Sequence, residues 1–413
     1  MNKPHLPTPI IDNLEHISQD NCRFMQYYDF APRDHPVVIE FLKQYGGNKA
    51  TFESYRREIE KLMQWSYLII KKSMLELKRQ DIEHYIAFCL NPPKTWIATA
   101  RVARFIEING ARVPNPKWRP FVVSISKQDF KKGERPNKNN YQLSQKSIRE
   151  IFTVLGSFYN YLLIDEKITA NPVALIKQKS KYLQKRQQPS VVMRLTEKQW
   201  QTCLETTRKK AVETPEIHER TLFILSALYL LYLRISELAS SDRWTPMMKH
   251  FYQRADSSWW FKTVGKGNKL REIAVSDSML SALKRYREAL NLSSLPSPNE
   301  KNYLLPKEKG KGAITDARYI RRLVQYCFDE AINKLREEKC VEEADAMESA
   351  TVHWLRHTGI SDDINKRGRP ISHVRDDAGH SSSAITDRYN DIELTERHKS
   401  AKNKKLDNTI NEN

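Results

Sequence analysis

Apolar residues recur at helical spacing over much of the chain. In the stretch 51–90 two groups show a spacing of three to five residues: Tyr55, Ile59 and Leu62, and then Leu77, Ile82 and the adjacent pair Tyr85 and Ile86. A second stretch starts at Ser147, with Glu150 as its capping-box partner, and keeps the pattern through Leu162 before Asn171 and Pro172. Such spacing puts the apolar side chains on one helical face, so both stretches are predicted to be amphipathic helices.

One place in the second half of the chain has the pattern of a β-hairpin. The β-rich segments 259–264 and 271–275 flank a turn of sequence Gly-Lys-Gly-Asn, which carries Lys266 at its tip. The rest of this half has helical patterns, beginning at Thr196, whose capping-box partner is Gln199. The expected fold class is mainly α with a small antiparallel β-sheet in the second half.

Two basic segments lack any periodicity and predict the domain organisation. Residues 127–140 read KQDFKKGERPNKNN and are expected to form a loop, and the basic run 177–194 marks a boundary between domains. The predicted parts are an N-terminal extension (1–35), a helical domain (36–180) with a basic insertion near 91–141, a basic linker (181–195), a second domain (196–395) and a polar tail (396–413).

Composition favours a polyanionic partner. Lys and Arg number 69 against 50 Asp and Glu, a formal net charge of +19, although an excess of lysine can also simply keep a surface soluble. The longest apolar run, 222–233, contains Ser226 and is too short to span a membrane. The five cysteines are odd in number and form no CxxC pair, which argues against a disulfide framework or a zinc site and favours the cytoplasm.

Four local motifs in the second half carry candidate chemistry. They are LRISEL (233–238), GKGNKLRE (265–272), HWLRHTG (353–359) and GHSSSAITDRY (379–389). In this order and spacing they resemble the tyrosine recombinases, also called the phage integrase family. The helical region that ends at Asn171-Pro172 resembles the core-binding domain of that family.

The resemblance implies a bilobed DNA clamp made of a helical core-binding domain and a catalytic domain. It implies a site-specific recombinase that cleaves and rejoins DNA through a covalent 3′-phosphotyrosine intermediate, for a mobile genetic element. The reaction is expected to need no cofactor, neither a metal ion nor ATP. Two other functions remain open: a DNA-binding regulator without turnover, and a type IB topoisomerase that relaxes a single duplex.

Transesterification at a phosphodiester gathers negative charge on the non-bridging oxygens, and paired guanidinium groups suit that charge. The residues predicted to be catalytic are Arg234, Lys266, His353, Arg356, His380 and the nucleophile Tyr389, with Glu237 in support. The resemblance makes Lys266 the general acid for the 5′-oxygen and Glu237 the residue that orients Arg234 or a histidine, although Glu237 could equally form a plain ion pair. His353 is expected to share the helical face of Arg356, and His380 to start a helix.

Further basic residues are predicted to contact DNA, and His357 is expected to point away from the site and be structural. The predicted DNA contacts are Lys269, Arg271, Lys177, Lys179, Lys181, Lys185 and Arg186. The expected partners are double-stranded DNA, a homotetramer on two DNA sites and DNA-bending accessory proteins, with no membrane. The location expected is the nucleoid of a bacterial or phage-derived system.

The chain departs from the family pattern at two places. Leu231-Tyr232 stand where many members have Thr-Gly, and Arg-Asp-Asp-Ala precedes Gly379 where members have an apolar stretch. These departures bear on the helix packing near Arg234 and on the approach to His380.

Overall fold

The chain divides into two compact units, residues 1–188 and 189–413, in the computed structural model. The division lies within the segment 181–195. The structure describes residues 6–17, 30–126, 129–130, 132–174, 176, 182, 192–265, 267–380, 382–389, 398 and 401–402. Each unit has its own apolar core.

Four α-helices form the core of the first unit: α1 (Ala31–Lys43), α2 (Lys49–Trp65), α3 (Arg79–Leu90) and α4 (Gln145–Ile164). Their apolar faces meet around fully buried side chains such as Val38, Leu62, Ile86 and Leu155. The helical prediction for 51–90 is therefore confirmed, with a π-helical turn (Ser66–Ile70) and a 3₁₀ turn (Met74–Glu76) between α2 and α3.

Helix α4 begins earlier than its sequence pattern suggests. Its N-cap is Ser144, whose side chain accepts a hydrogen bond from the Ser147 main chain at 3.1 Å. Glu150 does not complete a capping box. It accepts a 2.7 Å hydrogen bond from Arg57 of α2 instead, so an interhelical ion pair replaced the local cap that we predicted.

The insertion between α3 and α4 contains strands that we did not predict. Strand β1 (Ile97–Ala98) pairs in parallel with β4 (Phe121–Val122), and β2 (Phe105–Ile108) pairs with β3 (Ala111–Pro114) as a hairpin. Asn109 and Gly110 form the hairpin turn with φ of 53° and 73°, as the two-residue Asn-Gly turn requires. Two 3₁₀ turns, Lys94–Trp96 and Lys138–Asn140, complete the insertion.

The second unit packs nine described helices around one three-stranded sheet. The helices are α5 (Glu197–Glu213), α6 (Pro215–Leu230), α7 (Ile235–Leu238), α8 (Asp277–Ala289), α9 (Ala317–Glu337), α10 (Val341–Met347), α11 (Val352–Asn365), α12 (Ile371–Ala378) and α13 (Ser383–Thr386), with 3₁₀ turns at Met248–His250 and Asp387–Tyr389. The Thr196–Gln199 capping box is present at the start of α5, as predicted. Among the helices described, none is long and apolar enough to cross a membrane.

The sheet confirms the predicted hairpin and adds one strand. Strands β6 (Trp259–Val264) and β7 (Leu270–Ala274) pair antiparallel with Val264 opposite Leu270, so the turn that contains Lys266 joins them. Strand β5 (Phe251–Gln253) pairs with the other edge of β6. The fold class is therefore mainly α with small sheets, although the strands are not confined to the second half of the chain.

A close contact between α6 and α11 fixes the geometry beneath the site. Gly359 of α11 faces the Tyr229 carbonyl of α6, and a Cβ atom at Gly359 would lie 2.0 Å from that oxygen. Only glycine permits this approach. Because α6 leads into Arg234 and α11 carries Arg356, the contact brings the two arginines toward each other.

Candidate active site

A tight turn after α6 positions Arg234. The helix ends at Leu230, and Tyr232 adopts a left-handed conformation with φ of 50°. Arg234 is then the N-cap residue of the short helix α7, not the last residue of a longer helix. Its main-chain N–H donates to Glu237 Oε2 at 2.8 Å, which closes a local capping arrangement.

Glu237 is a buried carboxylate that holds two guanidinium groups. It accepts a 2.9 Å hydrogen bond from Arg234 Nη1 and a 2.8 Å bond from Arg271 Nη2, and it is only 2% exposed. Of the contacts expected for Glu237, the structure has the ion pair with Arg234, and Arg271 shares the carboxylate. A charged pair of this kind fixes the direction of each planar guanidinium group.

Arg356 lies deepest in the group. It is 2% exposed, and its guanidinium donates to two main-chain carbonyl oxygens, those of Tyr232 and Ala378. Burial and the neighbouring Arg234 and Arg271 lower the pKa of Arg356 to about 9, which leaves it protonated at neutral pH. Arg234 and Arg271 share the Glu237 carboxylate and Arg356 lies near them, so positive charge is in excess and an anion is favoured there.

His380 lies after a helix rather than at the start of one, so our expectation on this point was wrong. Gly379 adopts φ of 63° and ends α12, and the His380 N–H donates back to the Arg375 carbonyl at 3.1 Å. The imidazole Nδ1 lies 2.9 Å from Thr386 Oγ1. With Nδ1 engaged by that hydroxyl, Nε2 is the ring nitrogen that can reach a phosphate oxygen.

His353 and His357 are neighbours, so the expectation that His357 points away was also wrong. Their ring centroids are 4.3 Å apart, and the His357 ring lies 5.5 Å from that of Tyr389 in an edge-to-face arrangement. Residues four apart share a helical face, and this i,i+4 spacing was the sequence signal that could have revealed the pair. His357 Nδ1 lies 3.0 Å from the Met193 carbonyl, and because a carbonyl only accepts, that nitrogen carries the hydrogen.

The histidines of the site are neutral in the protein without DNA. Partial burial is the first cause that lowers the pKa of both His353 and His380 to about 4. His357 and then the positive charges of Arg356 and Arg234 add to the effect at His353, and Arg356, Arg234 and Arg271 act on His380. A neutral imidazole keeps a lone pair, so each ring can accept a proton or a hydrogen bond at pH 7.

Tyr389 is buried among apolar residues and rings. It is 5% exposed and packs with Tyr232, Ile360, Val374 and Ala378. Its ring is nearly parallel to that of His380, with centroids 6.0 Å apart. Asn365 of α11 donates a 2.7 Å hydrogen bond to the Tyr389 carbonyl and holds the main chain in place.

Lys266 lies outside the described residues, but the glycines on either side of it are described. A Cβ atom at Gly265 would lie 3.3 Å from Glu237 Oε1 and 3.6 Å from Arg234 Nη1. Gly267 has φ of 78°. The hairpin turn therefore runs directly against the arginine group, and a larger side chain at position 265 would crowd it.

One cavity of about 980 Å³ collects these groups. Five of the six residues predicted to be catalytic line it, namely Arg234, His353, Arg356, His380 and Tyr389. Lys269, Arg271 and His357 also line it. Lys269 is exposed, whereas the Arg271 side chain is 9% exposed and paired inside the group. Lys177, Lys179, Lys181, Lys185 and Arg186 lie outside the described residues.

Metal ligands are not assembled in this region. Within the described part of the chain, no group of His, Cys, Asp and Glu side chains could hold a metal ion. The positive charge of the cavity comes from arginine side chains instead.

Comparison with known proteins decides the family. Residues 193–396 match the model of the phage integrase family. The chain is 26% identical over 249 residues to tyrosine recombinase XerC from Leptospira interrogans, which covers 60% of this chain and 68% of that protein. It is 26% identical over 253 residues to tyrosine recombinase XerD from Chlorobaculum tepidum, covering 61% and 72%. This chain belongs to the tyrosine recombinase family.

Solved structures share the fold of this recombinase. A complex of the XerH site-specific recombinase with a palindromic difH substrate superposes with a TM-score of 0.55 at 13% identity, covering 96% of this chain and 90% of that one. The Tn1549 transposon integrase in complex with circular intermediate DNA gives a TM-score of 0.50 at 17% identity, covering 88% and 98%. The protein is a tyrosine-type site-specific recombinase.

Proposed function

We propose that this recombinase cleaves DNA by attack of the Tyr389 phenolic oxygen on a phosphodiester. A bond forms between phosphorus and the tyrosine oxygen, the bond to the 5′-oxygen breaks, and the product is a 3′-phosphotyrosine and a free 5′-hydroxyl. The reverse reaction with a second 5′-hydroxyl rejoins the strand. One phosphodiester replaces another at each step, so ATP is not needed.

A single observation carries this proposal: Tyr389 opens into the same cavity as Arg234, Arg356 and His380. Negative charge builds on the non-bridging oxygens in the transition state, and preorganised donors aimed at those oxygens stabilise it most. Arg234 and Arg356 are held by Glu237 and by main-chain carbonyls, so their direction is fixed before DNA binds. They supply the charge that a metal ion supplies in other phosphoryl transfer enzymes.

The phenolic proton of Tyr389 passes to a neutral histidine. We assign the acceptor role to His353, and its low pKa supports an unprotonated ring at pH 7. His380 donates to a phosphate oxygen through the nitrogen that does not contact Thr386. Lys266 remains the proposed general acid for the 5′-oxygen, a role supported by the family pattern and by the glycine turn against the arginine group.

The partner that we propose is double-stranded DNA. A net charge of +19 supports a strong electrostatic contribution through counterion release, so binding should weaken steeply with salt. Strand exchange is proposed to take place in a homotetramer on two duplexes, with accessory proteins able to bend the DNA. A mobile genetic element is proposed as the source of the DNA ends.

The test is covalent trapping on a library of nicked suicide substrates, in which the short fragment that carries the free 5′-hydroxyl diffuses away after cleavage. We expect a protein–DNA adduct from the wild type with chelator present and ATP absent, and none from Tyr389→Phe. Sequencing of the trapped ends identifies the site. The trapped site then enters a two-site recombination assay and a relaxation assay: recombinant product supports this proposal, relaxation alone indicates a topoisomerase, and binding without any adduct indicates a regulator.

A further inference from the structure

The two departures from the family pattern lie at the two ends of one hydrogen-bonded network. Arg369 Nη1 donates to the Tyr232 hydroxyl at 2.9 Å, and Arg369 Nη2 donates to Asp377 Oδ2 at 2.7 Å. Asp363 completes the network, because it accepts from the Tyr232 hydroxyl and, at 2.8 Å, from Arg369. Arg369 therefore joins the Tyr232 side chain at one unusual position to the Asp377 side chain at the other.

The network lies outside the lining of the cavity that contains the arginine group. Tyr232 is 1% exposed, and Asp363 and Asp377 are 8% and 6% exposed. The three side chains therefore cannot contact a DNA phosphate in the cavity, and the cavity that contains Tyr389 is not lined by any of them. Any influence they have on the reaction must pass through another residue.

The same two chain segments supply both main-chain acceptors of Arg356. One guanidinium nitrogen donates to the Tyr232 carbonyl, and the other donates to the carbonyl of Ala378, which directly follows Asp377. The Arg369 side chain thus connects the two segments whose main-chain carbonyls accept hydrogen bonds from Arg356. Asp377 also accepts, at 3.3 Å, from the Ala274 main chain of β7, which ties the second segment to the sheet.

The backbone of Tyr232 adopts a conformation that a tyrosine does not favour by itself. Its φ of 50° lies in the left-handed region, which glycine adopts freely and a tyrosine adopts at a cost. A glycine there would relieve the strain but would leave Arg369 and Asp363 without the buried hydroxyl. The phenol's hydrogen bonds to charged partners offset the strain.

We infer that Tyr232, Asp363, Arg369 and Asp377 form a positioning network that fixes the direction of the Arg356 guanidinium group. The inference rests on the proposed function, in which Arg356 stabilises the charged phosphate. In this chain Tyr232 stands where many family members have a glycine, and Asp377 lies in a segment that is apolar in those members. A loosened network should slow the chemical step and leave DNA affinity unchanged.

The test uses Tyr232→Phe and Asp377→Asn, with Tyr286→Phe as the control. Tyr286 is also buried, and its hydroxyl donates to the Leu304 carbonyl at 3.2 Å, but it belongs neither to the network nor to the lining of the cavity that contains Tyr389. At saturating DNA, we expect single-turnover cleavage to fall about tenfold or more in the first two variants and less than about twofold in the control, with Kd for DNA unchanged. The double variant should lose less than the product of the single losses, because both act through Arg369.

A second substrate separates positioning from general damage. A methylphosphonate at the scissile position removes one charged oxygen, so the orientation of Arg356 should matter less there. We expect the losses of Tyr232→Phe and Asp377→Asn to shrink to about twofold on that substrate. Equal losses on both substrates, or none on either, would overturn the inference.

A measurement that needs no cleavage keeps this inference separate from the proposed function. In ¹⁵N-arginine NMR of the full chain, the Nη signals of Arg356, assigned with Arg356→Lys, should be separate and slow to exchange in the wild type and in Tyr286→Phe. They should merge in Tyr232→Phe and Asp377→Asn. Unchanged signals in those two variants contradict the network even if the wild type forms no adduct, whereas a missing adduct with altered signals contradicts only the proposed function.

Discussion

Arg356 donates a 2.6 Å hydrogen bond to the main-chain carbonyl of Ala378, the last residue of helix α12. Carbonyls at a helix C-terminus lack partners within the helix, and this one is satisfied by an arginine that we propose to be catalytic. Arg271 donates to the same oxygen at 2.9 Å. Since His380 follows two residues later, the guanidinium groups and the imidazole are tied to one point of the backbone.

Arg356→Lys should lose activity although the charge is kept. A lysine ammonium cannot donate to the Tyr232 and Ala378 carbonyls and still present a planar pair of donors to phosphate. Cleavage of a suicide substrate should fall by about 10²–10³-fold, as for loss of one preorganised donor. The matched control is Arg318→Lys, since that side chain is 82% exposed at the start of α9. Wild-type cleavage by Arg356→Lys would remove Arg356 from the mechanism.

Glu237→Gln should slow cleavage and reduce stability together. The change removes the only carboxylate that pairs Arg234 and Arg271 in the described site, and its amide nitrogen must face a guanidinium group. We expect cleavage to fall by about tenfold or more and Tm to fall by a few degrees. Glu219→Gln is the control: Glu219 is also buried and pairs with Arg285, but away from the cavity, so only Tm should fall. Equal cleavage by the two variants would contradict the role of Glu237.

Gly379→Ala should harm the site more than its backbone strain alone predicts. Gly379 has φ of 63°, and an added Cβ would lie 2.8 Å from Arg271 Nη1. Gly368 offers a matched control, because its φ is 64° and no atom lies within 4 Å of an added Cβ. Both variants should lose about 1 kcal/mol of stability from the left-handed conformation, measured by denaturant unfolding. Only Gly379→Ala should also lose cleavage activity, and equal activity in the two would show that Arg271 tolerates displacement.

DNA binding should be linked to proton uptake. Burial, with the positive arginines adding to it, holds the pKa of His353 and His380 at about 4 in the free protein, and a bound phosphate raises it by adding negative charge. Between the free and the bound pKa the complex carries more protons, so affinity should rise as pH falls from 7 toward 5 at fixed ionic strength. The His353→Gln and His380→Gln variants should each weaken this dependence, whereas His373→Gln, an exposed residue of α12, should not. A Kd independent of pH in the wild type would contradict proton uptake at these two histidines.

Local patterns predicted the elements that local chemistry decides. The Thr196–Gln199 capping box and the hairpin around Lys266 are both present, since each depends on residues within a few positions of one another. The start of α4 was missed because Glu150 pairs with Arg57 of another helix, a contact between residues far apart in sequence. The Asn109-Gly110 hairpin carried a readable turn signal, but its short flanking strands did not show a clear alternation.

The sequence predicted which residues form the site but not how their side chains are arranged. Motif order indicated Arg234, His353, Arg356, His380 and Tyr389, and these line one cavity. The sequence could not reveal that Arg271 turns inward to Glu237, because the pairing joins β7 to α7 across the fold. Nor could it show that Arg369 links Tyr232 with Asp377, since three separate segments meet there.

The most direct test of the account is the chemical identity of the covalent adduct. Wild-type protein trapped on a suicide substrate should be digested with protease and nuclease, and the modified peptide mapped by mass spectrometry. We predict a nucleotide joined through its 3′-phosphate to the hydroxyl of Tyr389, a free 5′-hydroxyl on the released strand, and no modified peptide from Tyr389→Phe. A 5′-linked adduct, or a 3′-linked adduct at a different residue, would contradict the assignment of Tyr389 as the nucleophile.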